Sequence, residues 1–168
     1  LSVSRTKDEK KRVSKQVAIL SDRDIVSIVP NTSAELLREA PGIRIQRSQG
    51  GGGSPVIRGF EANRILLVVD GVRMNNAIYR SGHLHNAISI DPFSLSRAEV
   101  VYGPSSVGYG SDALGGVVHY FTKEPRVGDA QPWRFFIANS YDIRHENSIS
   151  HVDITHSNDK WASLTSAS

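Results

Sequence analysis

After Pro125 the chain changes from short, glycine-punctuated segments to long stretches in which apolar and polar residues alternate. The apolar positions on one face of the first stretch are Trp133, Phe135, Ile137 and Tyr141. Residues 151–155 repeat the alternation, and a third run begins at Trp161. Alternating segments of about ten residues are typical of transmembrane barrel strands, but soluble hairpins alternate too. On these residues alone the soluble hairpin is the better interpretation, because three strands cannot close a barrel.

The composition excludes several classes of fold and site. The 168 residues include no cysteine, which excludes disulfide scaffolds, zinc–thiolate sites and thiol nucleophiles. The longest aliphatic run, from Ile65 to Val69, is too short for a spanning helix, which needs about 20 apolar residues. Leu1 is followed by polar and charged residues rather than by a signal peptide, so we expect a mature or excised piece. The length suits one compact domain.

The net charge of +3 is concentrated near the N-terminus. Residues 5–15 are rich in lysine and arginine, whereas the rest of the chain is close to neutral. A basic arm can bind anionic lipid or nucleic acid. No aromatic residue interleaves with these charges to stack on bases, so we interpret residues 1–15 as a flexible charged segment and expect no nucleic-acid partner.

Local patterns predict a set of short elements between residues 16 and 125. Strands are expected at 16–20, 43–46, 64–69, 98–102 and 117–122. Thr32 and Glu35 fit the capping box of a short helix that ends at Pro41-Gly42. Asp70-Gly71 predicts a hairpin turn, and Asp91-Pro92 predicts a helical start.

Two glycine-rich segments invite comparison with phosphate-binding loops. Residues 108–113 fit the pattern G-x-G-x-x-A, which binds a dinucleotide only where a helix follows. Here the β-rich run 117–121 follows instead, so we expect no nucleotide site. The run Gly50–Gly53 lacks a phosphate-binding lysine and a following helix. We therefore predict a flexible loop there, or a close approach of backbone to a ligand.

One polar loop carries groups suited to binding. Its candidate residues are Tyr79, Arg80, His83 and His85. On a strand, His83 and His85 would face the same side and could chelate a metal, although surface histidines without a ligand are commoner. Imidazole and tyrosinate can also ligate haem iron, and arginine pairs with carboxylates such as propionates.

Several segments together resemble the plug domain of TonB-dependent outer-membrane receptors. The matching segments are 55–60 (PVIRGF), 64–73 (RILLVVDGVR), 99–106 (EVVYGPSS), 109–118 (YGSDALGGVV) and 122–123 (TK). Each segment by itself is weak evidence for the family, whereas the order and spacing of all five are specific for it. The resemblance covers roughly residues 16–125 and favours the barrel interpretation of the alternating segments.

The resemblance implies an α+β fold with a small mixed sheet of about four strands, short helices and long loops, followed by truncated antiparallel barrel strands. It implies a flexible segment at 1–15, a plug at 16–127 and the start of a barrel of about 22 strands at 128–168. The plug would lie inside its barrel in the outer membrane, with the N-terminal segment facing the periplasm and binding TonB. Such a chain is not an enzyme.

The resemblance also implies roles for individual residues. Apical plug loops, here about 47–54 and 75–86, would bind ligand, and they include Gly51 and Gly52. Arg58 would form ion pairs with barrel glutamates. In the family a second plug cation, arginine or lysine, usually pairs with those glutamates. Tyr102 stands at that position here, so the resemblance does not identify the second partner. His119 stands where asparagine is common, and we interpret it as a strand substitution without functional content.

The segment 81–86 (SGHLHN) resembles a glycine-histidine-leucine-asparagine segment of haem receptors, with His85 inserted. We therefore predict haem or a haem protein as cargo, with His83 as an axial ligand of the haem iron and His85 as a helper. The protein itself would hold no metal and no intrinsic cofactor. The alternatives are a ferric siderophore, cobalamin or a glycan, and, more remotely, a stand-alone soluble binding domain.

Overall fold

The computed structural model describes residues 16–49, 52–60, 64–74, 90–103, 113–143 and 147–168. In chain order the strands are β1 (Val17–Ser21), β2 (Ile43–Gln49), β3 (Gly52–Ile57), β4 (Ile65–Val69), β5 (Val72–Arg73), β6 (Leu95–Tyr102), β7 (Gly116–Thr122), β8 (Trp133–Asp142), β9 (Asn147–Ser157) and β10 (Ala162–Ala167). The helices are α1 (Asp22–Ile28) and α2 (Ser33–Leu36), and single 3-10 turns cover Leu37–Glu39 and Pro92–Ser94. Among the described residues, no helix has the length and apolar character needed to cross a membrane.

The chain divides into two compact units, Leu1–Thr122 and Lys123–Ser168. The division falls five residues before the boundary predicted from the sequence between residues 127 and 128. The segment predicted to be flexible, residues 1–15, lies outside the described residues.

The first unit contains a five-stranded sheet in the order β1-β6-β7-β4-β5 and a separate β2–β3 hairpin. All neighbours in the larger sheet are antiparallel except β4 and β7, which run parallel. The mixed sheet and the short helices confirm the α+β class. The sheet has one strand more than expected, because the two residues of β5 pair with β4.

Both faces of the larger sheet are buried at its centre. One face carries a hydrophobic cluster formed by Leu66, Val68, Val101, Ala113 and Val117. On the other face the hydroxyl of Tyr120 donates to the carbonyl of Ser33 in α2 at 3.3 Å. Burial on two faces explains why β4 is a continuous aliphatic run without alternation.

The predicted local signals are present in the structure. Thr32 caps α2 by accepting a bond from the Glu35 N–H at 3.2 Å, while the Glu35 carboxylate accepts from the Asn31 N–H at 2.9 Å. Asp91 accepts from the Phe93 N–H at 2.9 Å at the start of a 3-10 turn. A second capping box, Ser21 with Asp24 at α1, was not predicted from the sequence.

The second unit is an antiparallel three-stranded sheet in the order β10-β9-β8. The β8–β9 register runs from Trp133 opposite His156 to Asp142 opposite Asn147. One face carries exposed apolar side chains: Trp133, Phe135, Ile137, Tyr141, Val152 and Ile154. The opposite face carries the buried polar residues His151, Asp153 and Ser157. The alternation seen in the sequence therefore separates two chemically different faces.

Candidate functional site

Arg58 occupies a tight turn directly after β3. Its φ of +50° and the φ of +86° at Gly59 place both residues in the left-handed region, as in a type I′ turn. Ile57 and Phe60 close the turn through two reciprocal backbone hydrogen bonds of 2.9 Å. A non-glycine residue rarely adopts a positive φ, so the surrounding contacts must hold Arg58 in place.

The Arg58 side chain contacts two other parts of the first unit. Its guanidinium donates a hydrogen bond to the side-chain carbonyl of Gln16, the residue before β1. The same guanidinium lies over the ring of Tyr102, 5.2 Å from the ring centroid. A cation above an aromatic face is attracted by about 0.5–1 kcal/mol at an exposed site. The ion pair predicted between Arg58 and barrel glutamates stays a prediction.

Tyr102 is buried at the end of β6, below Arg58. Its hydroxyl donates to the Pro41 carbonyl at 2.6 Å, and its N–H donates to the Gln16 carbonyl at 3.1 Å. Burial raises the pKa of Tyr102, and the Arg58 charge opposes that rise. A neutral phenol therefore replaces the usual cation at this position. We call Gln16, Pro41, Arg58 and Tyr102 the β1 anchor, because together they fix the chain where it enters the first strand.

A second polar group lies between β6 and β7. Arg97 forms an ion pair with the buried carboxylate of Glu99 at 2.8 Å, and its guanidinium lies 3.6 Å from the centroid of the Phe121 ring. Glu99 is directly opposite His119 in the antiparallel register. The Asp70 carboxylate, in the β4–β5 turn, accepts hydrogen bonds from the N–H and the hydroxyl of Thr122. The hairpin turn predicted at Asp70-Gly71 is present, and Glu99 is an ion-pair residue.

His119 has a contact that the sequence analysis missed. Its Nε2 accepts a hydrogen bond from the Gly71 N–H at 3.2 Å, and its ring stacks on Phe121 with centroids 4.0 Å apart. The partners lie 48 residues apart in the chain, so no local pattern indicates the bond. His119, where the resemblance implies asparagine, therefore also contacts the β4–β5 turn.

The predicted ligand groups are mostly outside the described part of the chain. Tyr79, Arg80, His83, His85 and Gly51 lie in residues that the structure does not describe, and Gly52 begins β3 opposite Gln49. Within the described residues, no cluster of three or more His, Cys, Asp or Glu side chains could hold a metal ion. The ligand site therefore stays a prediction.

The glycines before β7 allow a close approach of chain segments. A Cβ at Gly115 would lie 2.4 Å from the Phe60 Cβ, and a Cβ at Gly116 would lie 2.8 Å from the Val101 carbonyl oxygen. Strand β7 begins at Gly116, where a nucleotide-binding motif would need a helix. Gly115 and Gly116 thus allow Phe60 and the Val101 carbonyl to pack closely against the chain.

The arrangement agrees with what known proteins show. The family model described as TonB-dependent Receptor Plug Domain matches residues 9–117. A vitamin B12 transporter BtuB of Vibrio vulnificus is 36% identical over 106 residues, covering 62% of this chain and 17% of that protein. A hemin receptor of Yersinia pestis is 37% identical over 107 residues, covering 63% of this chain and 15% of that protein.

A solved structure extends the similarity in fold to the second unit. The receptor FpvA of Pseudomonas aeruginosa, in complex with a pyoverdine and iron, superposes with a TM-score of 0.72 at 19% identity, covering 93% of this chain and 20% of that chain. The chain belongs to the TonB-dependent receptor plug-domain family. The relatives named here are a transporter and a receptor rather than enzymes, and the fold of this chain, including β8–β10, matches that of FpvA. This chain spans only about a sixth of the length of the curated relatives.

Proposed function

We propose that this chain is the plug, with the first barrel strands, of an outer-membrane receptor for energy-coupled uptake of an iron source, and that the cargo is haem or a haem protein. The segment 81–86, with His83 and His85, is the observation that carries the choice of cargo. Neutral imidazole is a common axial ligand of haem iron. The similarity to a hemin receptor supports the same choice.

In this proposal the plug fills a barrel in the outer membrane and its N-terminal segment faces the periplasm. TonB binds that segment, and residues 1–6 are the trailing end of the coupling sequence. The loop predicted at 47–54 is instead the end of the β2–β3 hairpin, because β2 runs to Gln49 and β3 begins at Gly52. In the proposal this hairpin end and the segment 75–86 face outside, where Tyr79, Arg80, Gly51 and Gly52 contribute to the ligand site. In this proposal Arg58 pairs with barrel glutamates through the guanidinium that also contacts Gln16 and Tyr102 in the β1 anchor.

The β1 anchor gives the proposal a physical route for gating. Gln16 is the first described residue that a pull on residues 1–15 would reach, and it is bonded to Arg58 and Tyr102. The next bonds along the chain are those of β1 with β6, from Val17 opposite Val101 onward. β1 lies at one end of the strand order, so it can separate from β6 without disturbing a second neighbour. The remaining strands would stay paired while a path opens.

Haemin titration of the full-length receptor tests the cargo. Binding followed by the Soret band should be saturable, and His83→Ala should weaken it by about tenfold or more and change the band, because an axial ligand is lost. His156→Ala, which removes a histidine from the exposed face of β9, is the matched control and should leave the band unchanged. An unaltered spectrum and affinity for His83→Ala would remove haem ligation from the proposal.

Cobalamin is the second candidate, because a vitamin B12 transporter is almost equally similar to the chain. Equilibrium binding of cyanocobalamin to the same receptor separates the two cargoes. Tight cobalamin binding without haemin binding would replace the proposed cargo and leave the plug assignment intact.

A further inference from the structure

The turn between β4 and β5 is fastened to β7 by several hydrogen bonds. The Asp70 N–H donates to the Tyr120 carbonyl at 3.0 Å. The N–H and hydroxyl of Thr122 donate to the Asp70 carboxylate at 3.0 and 2.7 Å. The Gly71 N–H is directed at Nε2 of His119 at 3.2 Å. Of these acceptors, the imidazole is the one that changes its protonation near neutral pH.

The hydrogen bond fixes the protonation state of His119. Because Nε2 accepts, it carries no proton, and the imidazole is neutral with its proton on Nδ1. The residue is only 6% exposed. Burial lowers the pKa of His119, the carboxylates of Glu99 and Asp70 oppose this, and the Arg97 guanidinium adds to it. Among the described residues, these three charged groups act on the ring from β6 and from the β4–β5 turn.

Arg97 limits how strongly Glu99 can favour an imidazolium. The Arg97–Glu99 ion pair, at 2.8 Å, already compensates the charge of the carboxylate opposite His119. The stacked Phe121 ring shields one side of the imidazole from water. A proton added to Nε2 would therefore enter a shielded site and would face a backbone N–H donor.

We propose that His119 is a positioning residue that holds the β4–β5 hairpin only while its imidazole is neutral, so that acid loosens the turn. An imidazolium has a proton on both nitrogens and cannot accept from Gly71. From β5 the chain continues into residues 75–89, which include the candidate ligand residues. His119 thus bonds to the hairpin that directly precedes that segment in the chain. The inference holds whichever cargo the receptor carries.

The direction of the pH effect follows from the lowered pKa. In an opened turn the imidazole takes up a proton near its ordinary pKa of about 6.5, but in the closed turn it does so only at lower pH. The stabilisation is therefore complete above that value and is lost as the pH falls below it. Between pH 7.5 and 5.5 the opening equilibrium should rise by up to about tenfold.

Hydrogen exchange of the full-length receptor tests the inference. Mass spectrometry of peptides covering residues 66–74, corrected for intrinsic exchange rates, should show protection falling by up to about tenfold from pH 7.5 to 5.5. Peptides covering 95–102 should remain protected at both values. His119→Gln keeps an acceptor at the same reach but cannot titrate, so its 66–74 peptides should be equally protected at both pH values.

Protection of the 66–74 peptides that does not change with pH in the unmodified receptor would overturn the inference. The same would follow if His119→Gln lost protection in acid as the unmodified receptor does. Glu99→Gln gives a second test in case the His119 variant does not fold. It removes a carboxylate that favours the imidazolium in the closed turn, so the acid end of the transition, which the closed-state pKa sets, should move to lower pH. An acid end that stays unmoved or moves to higher pH would contradict the proposed role of His119.

Discussion

In the sheet of the first unit Leu67 and Val118 are fully buried, whereas in the sheet of the second unit Ile137 is 73% exposed and the imidazole of His151 is fully buried. The first sheet thus buries apolar side chains, whereas the second sheet buries polar side chains and exposes apolar ones. In water, exposed aliphatic side chains on one continuous face cost free energy, so such a face normally contacts a partner or a membrane. The comparison indicates that the first unit has an apolar core of its own, whereas the second unit presents an apolar face to its surroundings.

The buried polar face of the second unit is internally satisfied. Asp153 accepts from the Lys123 ammonium at 2.6 Å and from the Ser166 hydroxyl at 2.6 Å. Its other contact is the His151 Nε2, 2.8 Å away, while His151 Nδ1 lies 2.7 Å from the Ser168 hydroxyl. The Lys123 ammonium also lies 4.7 Å from the centroid of the Phe136 ring. These contacts offset the desolvation of the buried Asp153 carboxylate.

A substitution at the start of β7 tests the close packing of the first unit. In Gly116→Ala, the new Cβ would lie 2.8 Å from the Val101 carbonyl oxygen, at a φ of +155° that alanine rarely adopts. Strain and overpacking together should lower the free energy of unfolding by about 3 kcal/mol. Hydrogen exchange of β7 amides in the full-length receptor measures the loss.

Gly128→Ala is the matched control for this change. Gly128 also has a positive φ, +72°, but nothing lies within 4 Å of a Cβ there. Only backbone strain of about 1 kcal/mol is expected. If both variants lost the same stability, close packing at Gly116 would not be the cause.

A substitution on the exposed face tests the second unit. Ile137→Arg places a charge on the apolar face of β8, and at the middle of a bilayer this should cost about 2–4 kcal/mol. Tyr141→Arg, at the end of the same strand, should cost about 1 kcal/mol or less. Guanidinium unfolding of the receptor from lipid vesicles measures both. If Ile137→Arg did not lower the free energy of unfolding, this face would not contact lipid.

The smallest expected effect concerns the β1 anchor. Tyr102→Phe removes the hydroxyl that donates to Pro41 and keeps the ring below Arg58, so β1 should lose about 1 kcal/mol of stability. Exchange of the β1 amides should quicken about fivefold, while that of β9 should not change. Equal quickening in both strands would contradict a local role for the anchor.

Much of the fold could be predicted from local signals. The aliphatic run of β4, the Asp70-Gly71 turn and the Asp91 cap each depend on neighbouring residues, and the structure has all three. The Ser21–Asp24 capping box was also readable as a serine followed three residues later by an acid, and the sequence analysis overlooked it. There Ser21 holds the pKa of Asp24 below its ordinary value.

The contacts of the candidate site could not be predicted in the same way. The bond from Tyr102 to Pro41 spans 61 residues, and that from Gly71 to His119 spans 48. Such partners meet only after the strand order is set, because β6 and β7 bring distant segments side by side. The family motifs located Arg58 but could not show that Gln16 and Tyr102 engage its side chain.

Lipid accessibility along β8 and β9 tests the central claim most directly. This chain has no cysteine, so single cysteines at residues 135–138 and 151–154 can carry spin labels in a receptor reconstituted in a bilayer. We predict that oxygen dissolved in the lipid reaches 135, 137, 152 and 154 and does not reach 136, 138, 151 and 153. Equal accessibility at all eight positions, or the opposite alternation, would contradict the assignment of β8–β10 to the barrel wall with their apolar face toward lipid.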